Sequence, residues 1–394
     1  MFKIQNRYRF NKNMRKKIVI TTGTRADYGI LRSLIYEINQ NKGFELLLVV
    51  TGSHLSKNHG MTIKEIIKDG FKISSKININ PKGNKSFNST IAMGKAVIEF
   101  AKFFNKSKPD INIILGDRYE MFASAIAAYQ MNILNVHIHG GDKSGGLDEY
   151  TRHAITKISN IHFTATKKSS QRIKKMGEKS KNIFHTGSLS IDEILNNNIT
   201  TKQELEKKYN MKLTEDSILL VQHPVTTENK NVQKQISETL QAILKIKKNT
   251  IIIGPNLDTG NKFIQEKIKK ISKNNNLIKV YENIPRQDFL GFLNNSKVLV
   301  GNSSSGIIEA SLFKIPVVNI GIRQKNREQG PNVINVKEFS KKKIESSIKN
   351  ALSKNKTKLK ISKIYGNQMV AKKMSRILEK INVDEELMKK GLTY

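Results

Sequence analysis

The chain has 394 residues, 38% of them hydrophobic and 26% charged, with a net charge of +36 and no cysteine. That length suits two domains, each large enough to bury its own core. The absence of cysteine excludes disulfides, thiolate metal sites and cysteine nucleophiles, and no window reaches the roughly 18 consecutive apolar residues of a membrane span. The lysines are spread over nearly every predicted helix face beside abundant Asn and Ile, which reads as compositional bias. No zinc-finger spacing or aromatic-interleaved RNA motif accompanies the charge, so a nucleic-acid-binding protein is the weakest reading. The expectation is a cytoplasmic protein with neither nucleic acid nor membrane as partner.

Residues 1–13 are basic and polar, lack the apolar core of a secretory signal, and read as a disordered lead-in. From there short β-branched runs alternate with amphipathic stretches, the pattern of βα units around a parallel sheet. Strands are expected at Lys17–Thr22, Glu45–Thr51, Phe71–Ile77, Ile111–Leu115, Leu134–His139, just after Ile161, and at Ile183–Thr186. Helices are expected between them at Asp27–Asn39, Ser89–Asn105, Tyr119–Tyr129, Glu149–Ser159 and Lys167–Met176. A polar segment from Asn196 to about Glu215 follows, and the alternation restarts with strands at Ser217–Val221, Thr250–Ile253, Leu277–Tyr281, Lys297–Val300 and Pro316–Ile320. The economical division is an N-terminal Rossmann-like domain over 14–192 and a C-terminal, nucleotide-binding one over 193–366. A closing helix and tail over 367–394 would pack back on the first domain.

Open parallel sheets bind ligands at the carboxyl ends of their strands, and polar clusters recur there. Thr21-Thr22-Gly23-Thr24-Arg25-Ala26-Asp27 follows the first strand: a glycine turn, a helix start that favours anions, and an arginine suited to a phosphate. Leu115-Gly116-Asp117-Arg118-Tyr119-Glu120 delivers an acid and a base to one sheet edge, although Asp117 is equally placed to cap the next helix. Val136-His137-Ile138-His139-Gly140-Gly141-Asp142 and Asp148-Glu149-Tyr150-Thr151-Arg152-His153 form the richest cluster. Strand alternation would put His137 and His139 on one face. Their combination with three carboxylates suits acid–base work, and the spacing resembles no zinc motif, so no metal is expected.

In the second half, Gln222-His223-Pro224-Val225-Thr226-Thr227-Glu228 and Gly254-Pro255-Asn256-Leu257-Asp258 end two strands, and structural turns explain both nearly as well as ligand contacts. Gly301-Asn302-Ser303-Ser304-Ser305-Gly306 leads from strand to helix. Its hydroxyls and backbone N–H groups suit a diphosphate, with Glu309 placed for a ribose; a serine-rich helix cap is the bland alternative. Gly321-Ile322-Arg323-Gln324-Lys325 adds cations.

Taken together, Gly-Thr-Arg-Ala-Asp (23–27), Gly-Asp-Arg (116–118), His-Ile-His-Gly-Gly-Asp (137–142), Asp-Glu-Tyr-Thr-Arg-His-Ala-Ile-Thr-Lys (148–157), Gln-His-Pro-Val-Thr-Thr (222–227), Gly-Asn-Ser-Ser-Ser-Gly (301–306) and Gly-Ile-Arg-Gln (321–324) resemble the hydrolysing UDP-N-acetylglucosamine (UDP-GlcNAc) 2-epimerases. The resemblance implies an α/β, GT-B-like architecture of two doubly wound Rossmann-like domains with the active site in the cleft between them. It implies no cofactor and a homodimer or homotetramer. Carried over by position, Arg25, Arg118 and His223 would contact substrate, the first and last at the phosphates. Ser303 and Ser304 would grip the diphosphate, Glu309 the ribose, and Arg323 would sit near the nucleotide. Asp117 and Asp148 would be catalytic carboxylates, with His139, Asp142 and Glu149 as further catalytic candidates. Some relatives carry glutamate where His139 stands, so that role must pass to His139, to Asp142 or to a neighbour.

The implied reaction eliminates UDP across C1–C2 of UDP-GlcNAc and adds water to the resulting 2-acetamidoglucal, releasing N-acetylmannosamine (ManNAc) for sialic-type acids. Ala26-Asp27 stands where non-hydrolysing relatives typically have Pro-Glu, which favours the hydrolysing branch. A UDP- or GDP-linked diacetylbacillosamine is the alternative substrate. A GT-B glycosyltransferase is the alternative class; it would not ordinarily carry the acidic cluster at 117 and 142–149.

Overall fold

The structure, a computed structural model, describes residues 15–56, 61–79, 86–143, 148–196, 199–225, 231–255, 260–273, 275–282, 284–366 and 369–394. The expected lead-in at 1–13, Thr226–Glu228, and Asn256–Asp258 lie outside these residues. The chain divides into two units. The described residues of Met1–Asp142, Tyr150–Asp192 and Gln368–Tyr394 form one; those of Lys143–Glu149 and Glu193–Asn367 form the other.

The first unit holds strands β1 (Lys16–Thr22), β2 (Phe44–Thr51), β3 (Ile73–Ile77), β4 (Ile111–Leu115), β5 (Leu134–Ile138), β6 (Ile161–Thr164) and β7 (Ile183–His185). They form one seven-stranded sheet in the order β3-β2-β1-β4-β5-β6-β7, and every pairing is parallel. Every residue of β4 and β5 is buried, as expected of strands covered by helices on both faces. Three of those buried residues are polar: Asn112, Asn135 and His137. Asn112 on β4 donates to Asn135 on β5 at 3.0 Å, and Ser124 of helix Tyr119–Gln130 donates to Asn112 at 3.1 Å. A one-residue slip of β4 would strand these groups without partners, so the network fixes the register that sets the strand ends.

The second unit holds β8 (Ile218–Val221), β9 (Thr250–Ile253), β10 (Ile278–Tyr281), β11 (Val298–Gly301), β12 (Val317–Ile320) and β13 (Val333–Val336), in the parallel order β10-β9-β8-β11-β12-β13. Alternation along β8 shows how both faces are filled. Ile218 and Leu220 pack with Ile236, Leu240, Ile344 and Ile348, while Leu219 and Val221 pack with Leu290, Phe292 and Leu293. Both sheets therefore have the doubly wound Rossmann order.

Two departures from expectation fall in the second unit. The polar segment 196–215 contains a helix, Lys202–Tyr209, started by a Thr201–Glu204 capping box. β13 is a sheet-edge strand of half-buried Val333 and Ile334, whose apolar run is too short to stand out. The closing helix runs Val370–Lys380 and packs on helix Arg25–Gln40 of the first unit. Asp192 caps it by accepting from the backbone N–H groups of Val370 at 2.8 Å and Ala371 at 2.7 Å. Lys16 of β1 closes its other end, donating to the carbonyls of Leu378, Glu379 and Ile381 at 2.7–3.0 Å. Among the described residues, no helix is long and apolar enough to cross a membrane.

Candidate active site

In each sheet the strand order turns back beside one strand: β1 next to β4, and β8 next to β11. Chains leaving the two strands go to opposite sides there and open a crevice at their carboxyl ends. The motif residues stand at these points: 23–27 after β1, 116–120 after β4, 222–225 after β8 and 301–304 after β11.

In the first unit, Asp117 does not cap helix Tyr119–Gln130; the N-cap is Arg118. Asp117 is instead ion-paired with Arg152 of helix Asp148–Lys157. Arg152 is only 4% exposed and Asp117 19%. The guanidinium also donates to the carbonyl of Asp142 at 2.8 Å. A buried cation thus pairs with Asp117 and fixes its direction. Asp142 is buried and accepts from the Ser169 hydroxyl at 2.6 Å. Asp148 and Glu149 open the helix that carries Arg152, Asp148 exposed and Glu149 half-buried. The preceding residues 144–147 lie outside the described ones.

His137 and His139 do not share a strand face. β5 ends at Ile138, and His139 takes a left-handed backbone with φ 63°, so the period-two alternation stops one residue earlier than the sequence implies. His137 is fully buried, its Nε2 donating to the Gly116 carbonyl at 2.8 Å and its Nδ1 3.1 Å from the Thr156 hydroxyl. It ties the Gly-Asp-Arg turn to the helix of Arg152. His139 is half-buried, its N–H donating to the Phe163 carbonyl at 2.9 Å.

A second cluster lies after β1. Arg118 Nε donates to Glu120 Oε1 at 2.6 Å and stands 3.8 Å from Asp27 Oδ2. Glu120 is wholly buried under Gly23, where a Cβ would collide with its carboxylate. Burial, opposed by the Arg118 charge, pushes the Asp27 carboxyl up to about 6. Arg25, expected at a phosphate, is ion-paired with Glu65 of helix Ile63–Lys68. His54 is buried between the hydroxyls of Thr22 (3.0 Å) and Thr62 (2.8 Å).

These buried imidazoles set an acid limit. Burial holds His54 down to about 4 and His137 down to about 3, from 6.5. The unfolded chain therefore binds more protons below 6.5; stability is fully present above that value and is lost as pH falls towards the folded values. Asp27, raised to about 6, works in the opposite sense and offsets part of the loss. The thermal midpoint is expected to be flat between pH 7 and 8 and to fall by about 5–10 °C by pH 5. Scanning calorimetry across that range checks this, and an unchanged midpoint at pH 5 would mean that the buried imidazoles, His223 of the second unit included, are hydrated.

In the second unit, Asn302 organises the strand ends. Its Oδ1 accepts from the His223 N–H at 2.7 Å, and its Nδ2 donates to the His223 carbonyl at 2.9 Å. Its own carbonyl accepts from Arg323 at 3.2 Å and Gln324 at 2.9 Å. The Asn302 side chain joins the loops after β8 and β11, and its main-chain carbonyl ties in the loop after β12. Gly301 makes this approach possible at φ 123°, because a Cβ there would overlap the Val221 carbonyl. Burial and the Arg323 charge hold His223 down to about 3, so its imidazole is neutral at pH 7.

Ser303 is the N-cap of helix Ser304–Ile308, its Oγ accepting from the Ser305 N–H at 3.3 Å, with Ser304 next to it at the helix start. Glu309 is 3% exposed and forms a two-pronged pair with Arg286, at 2.6 and 3.1 Å. Among the described residues, no cluster of His, Asp and Glu has the arrangement of a metal site.

The sequence profile described as UDP-N-acetylglucosamine 2-epimerase matches residues 36–379. The chain belongs to that family. It is 37% identical to the UDP-N,N'-diacetylbacillosamine 2-epimerase (hydrolyzing) of Legionella pneumophila, over 97% of this chain and 100% of that protein. It is 38% identical to the GDP/UDP-N,N'-diacetylbacillosamine 2-epimerase (hydrolyzing) of Campylobacter jejuni, over 81% and 84% of the two chains. Among solved structures it is similar to Methanocaldococcus jannaschii UDP-GlcNAc 2-epimerase in complex with UDP-GlcNAc and UDP. That likeness has a TM-score of 0.78 at 22% identity and covers 92% of this chain and 99% of that one. The GT-B-like class of two Rossmann-like sheets is thereby borne out.

Within this epimerase family member, four organising residues were not singled out for their roles by sequence reasoning. Arg152, Glu120 and Asn302 lay inside quoted motifs, where their spacing to Asp117, Arg118 and His223 carried no pairing signal. Arg286 lay in no motif at all. Its partner Glu309 is distant in sequence, and only the fold brings the two together.

Proposed function

We propose that the chain is a hydrolysing 2-epimerase of a UDP-linked 2-acetamido sugar. The observation that carries this reading is Asp117, oriented by the buried Arg152 at the strand reversal of the first unit. With it goes the Asn302-joined loop at the corresponding reversal of the second unit. A nucleotide diphosphate would take the hydroxyls and N–H groups of Ser303 and Ser304, with neutral His223 and cationic Arg323 beside them. Glu309, already held by Arg286, presents its remaining lone pairs to ribose hydroxyls.

The chemistry follows from charge. The C1–O bond to the diphosphate breaks first, with its electron pair leaving on UDP, and positive charge builds at C1 and the ring oxygen. The Asp117 carboxylate, oriented by its ion pair with Arg152, suits stabilisation of that charge. A second carboxylate, from Asp148 or Glu149, takes the C2 proton to give the 2-acetamidoglucal. Water then adds its oxygen to C1 and a proton returns to C2 from the opposite face. No step calls for a redox or metal cofactor.

The relatives favour UDP-N,N'-diacetylbacillosamine as the sugar, with UDP-GlcNAc, giving ManNAc, as the second reading. This reverses the order that the motifs alone suggested. Proton NMR with each nucleotide sugar in D2O tests both. The expected result is growth of UDP and a free sugar epimerised and deuterated at C2, faster from the bacillosamine substrate. Turnover of UDP-GlcNAc alone would restore the original order. Folded protein inert to UDP- and GDP-linked forms of both sugars would sink the epimerase reading in favour of glycosyl transfer.

A further inference from the structure

Helix Asp148–Lys157 carries Arg152, and Arg152 orients Asp117. What holds the helix is therefore a question about the site. Its far end is met by residues 384–394 of the first unit. Lys390 directs its ammonium into the end of the helix, donating to the carbonyls of Thr156 at 3.1 Å and Ser159, and to Glu178 Oε2 at 2.6 Å. Three N–H donors thus meet three acceptors. Thr156 lies in the last turn of the helix, where carbonyls lack intrahelical partners, and Ser159 lies two residues beyond its end; a cation there also opposes the negative end of the helix dipole.

The anchor is itself built. Glu178 is 4% exposed and receives, besides Lys390, the Lys157 ammonium at 2.7 Å and His162 Nε2 of β6 at 3.3 Å. Burial alone would raise the Glu178 carboxyl, but the bonds from His162, Lys157 and Lys390 hold it down to about 2. Lys157, the last residue of the helix, also donates to the Met176 carbonyl at 3.0 Å. The neighbouring tail residues are seated too. Asn160 donates to the Leu387 carbonyl at 3.1 Å. The Tyr394 ring and the Leu392 side chain lie against Gly177, where a Cβ would stand 2.6 Å from the ring. Leu392 and Tyr394 nevertheless remain 60% and 84% exposed, so the Lys390 ammonium and the Asn160 bond carry the attachment.

We infer that Lys390 is a positioning residue: its ammonium, seated on Glu178, pins the carboxyl end of helix Asp148–Lys157 and so sets where Arg152 holds Asp117. It touches neither the strand ends nor the motif residues placed there. It acts along the helix, which spans ten residues and connects the anchored end to Arg152. The catalytic consequence rests on the epimerase reading above; the mechanical one does not.

Three variants of the full chain test this: Lys390→Met, which keeps the stem and removes the ammonium, Lys390→Arg, which keeps a cation, and Glu178→Gln. Backbone amide exchange of residues 150–159 should quicken at least tenfold in Lys390→Met, less in Lys390→Arg, and not change in residues 218–253 of the second unit. On the nucleotide sugar that the wild type turns over, kcat should fall about tenfold or more with KM within twofold, and Lys390→Arg should recover part of it. Unchanged exchange at 150–159 in Lys390→Met would overturn the inference, and so would unchanged kcat beside an active wild type. Equal quickening across both units would also overturn it, since that reports general loss of stability. A wild type inert to every nucleotide sugar removes the epimerase reading alone, and the exchange measurement then decides. Glu178→Gln should reproduce Lys390→Met if the carboxylate is what seats the ammonium, and an effect-free Glu178→Gln would overturn that part.

Discussion

Asp117→Asn is expected to lower kcat by about three orders of magnitude while leaving UDP affinity within threefold of the wild type. The amide has the shape of the carboxylate but none of its charge, so it stabilises a developing cation at C1 poorly. Its second consequence is structural. Arg152 is 4% exposed and pairs with Asp117, and the neutral substitution removes the charge paired with that buried guanidinium. Some loss of stability therefore accompanies the loss of rate. Arg152→Met separates the two effects. It removes the charge that orients Asp117 while leaving the carboxylate in place, so kcat should fall by about a hundredfold and UDP affinity should stay near the wild type. UDP release measured by a coupled assay, beside titration calorimetry with UDP, checks both variants. An Asp117→Asn protein with the wild-type kcat would remove Asp117 from the chemistry.

The largest expected effect on binding is at Glu309→Gln. Both carboxylate oxygens receive hydrogen bonds from Arg286, and the pair is nearly enclosed. Glutamine cannot accept at both positions, and its NH2 group would face a guanidinium that has only donors to offer. Breaking one member of such a pair costs about 3–5 kcal/mol when it is fully buried; with Arg286 17% exposed, the lower end applies. UDP affinity should fall at least about thirtyfold, and the second unit should melt earlier. Leucine at both 286 and 309 should restore most of the stability without restoring binding, because no unpaired charge remains. UDP binding retained by Glu309→Gln at the wild-type Kd would place the ribose elsewhere.

The sheets were legible because parallel strands covered on both faces are continuous apolar runs. Ile111–Leu115 and Thr250–Ile253 match expectation residue for residue, since both are closed by turn-formers or a loop. Legibility failed where local chemistry and not hydrophobicity sets the chain. Lys202–Tyr209 buries one leucine, so its periodicity is faint, although Thr201 and Glu204 carry a capping signature that a search for caps would find. His139 was assigned to a strand face because alternation was extended one residue past the point where the backbone turns left-handed. In the site, the motifs gave the loops but not their pairings. Glu65 meets Arg25 across 40 residues and Glu309 meets Arg286 across 23, and neither spacing has a local signature. Charge pairs of this kind belong to topology, and a single sequence does not display them.

Residues 369–394 belong to the first unit but follow the whole of the second in the chain. During synthesis from the N-terminus, the second sheet emerges and can close around its own core while the first still lacks a helix. Asp192 and Lys16 wait for the closing helix, and Glu178 for Lys390. The unit that begins the chain is thus the last to be finished. A nascent chain stalled before residue 369 would hold a folded second unit beside a first that is still open to proteolysis.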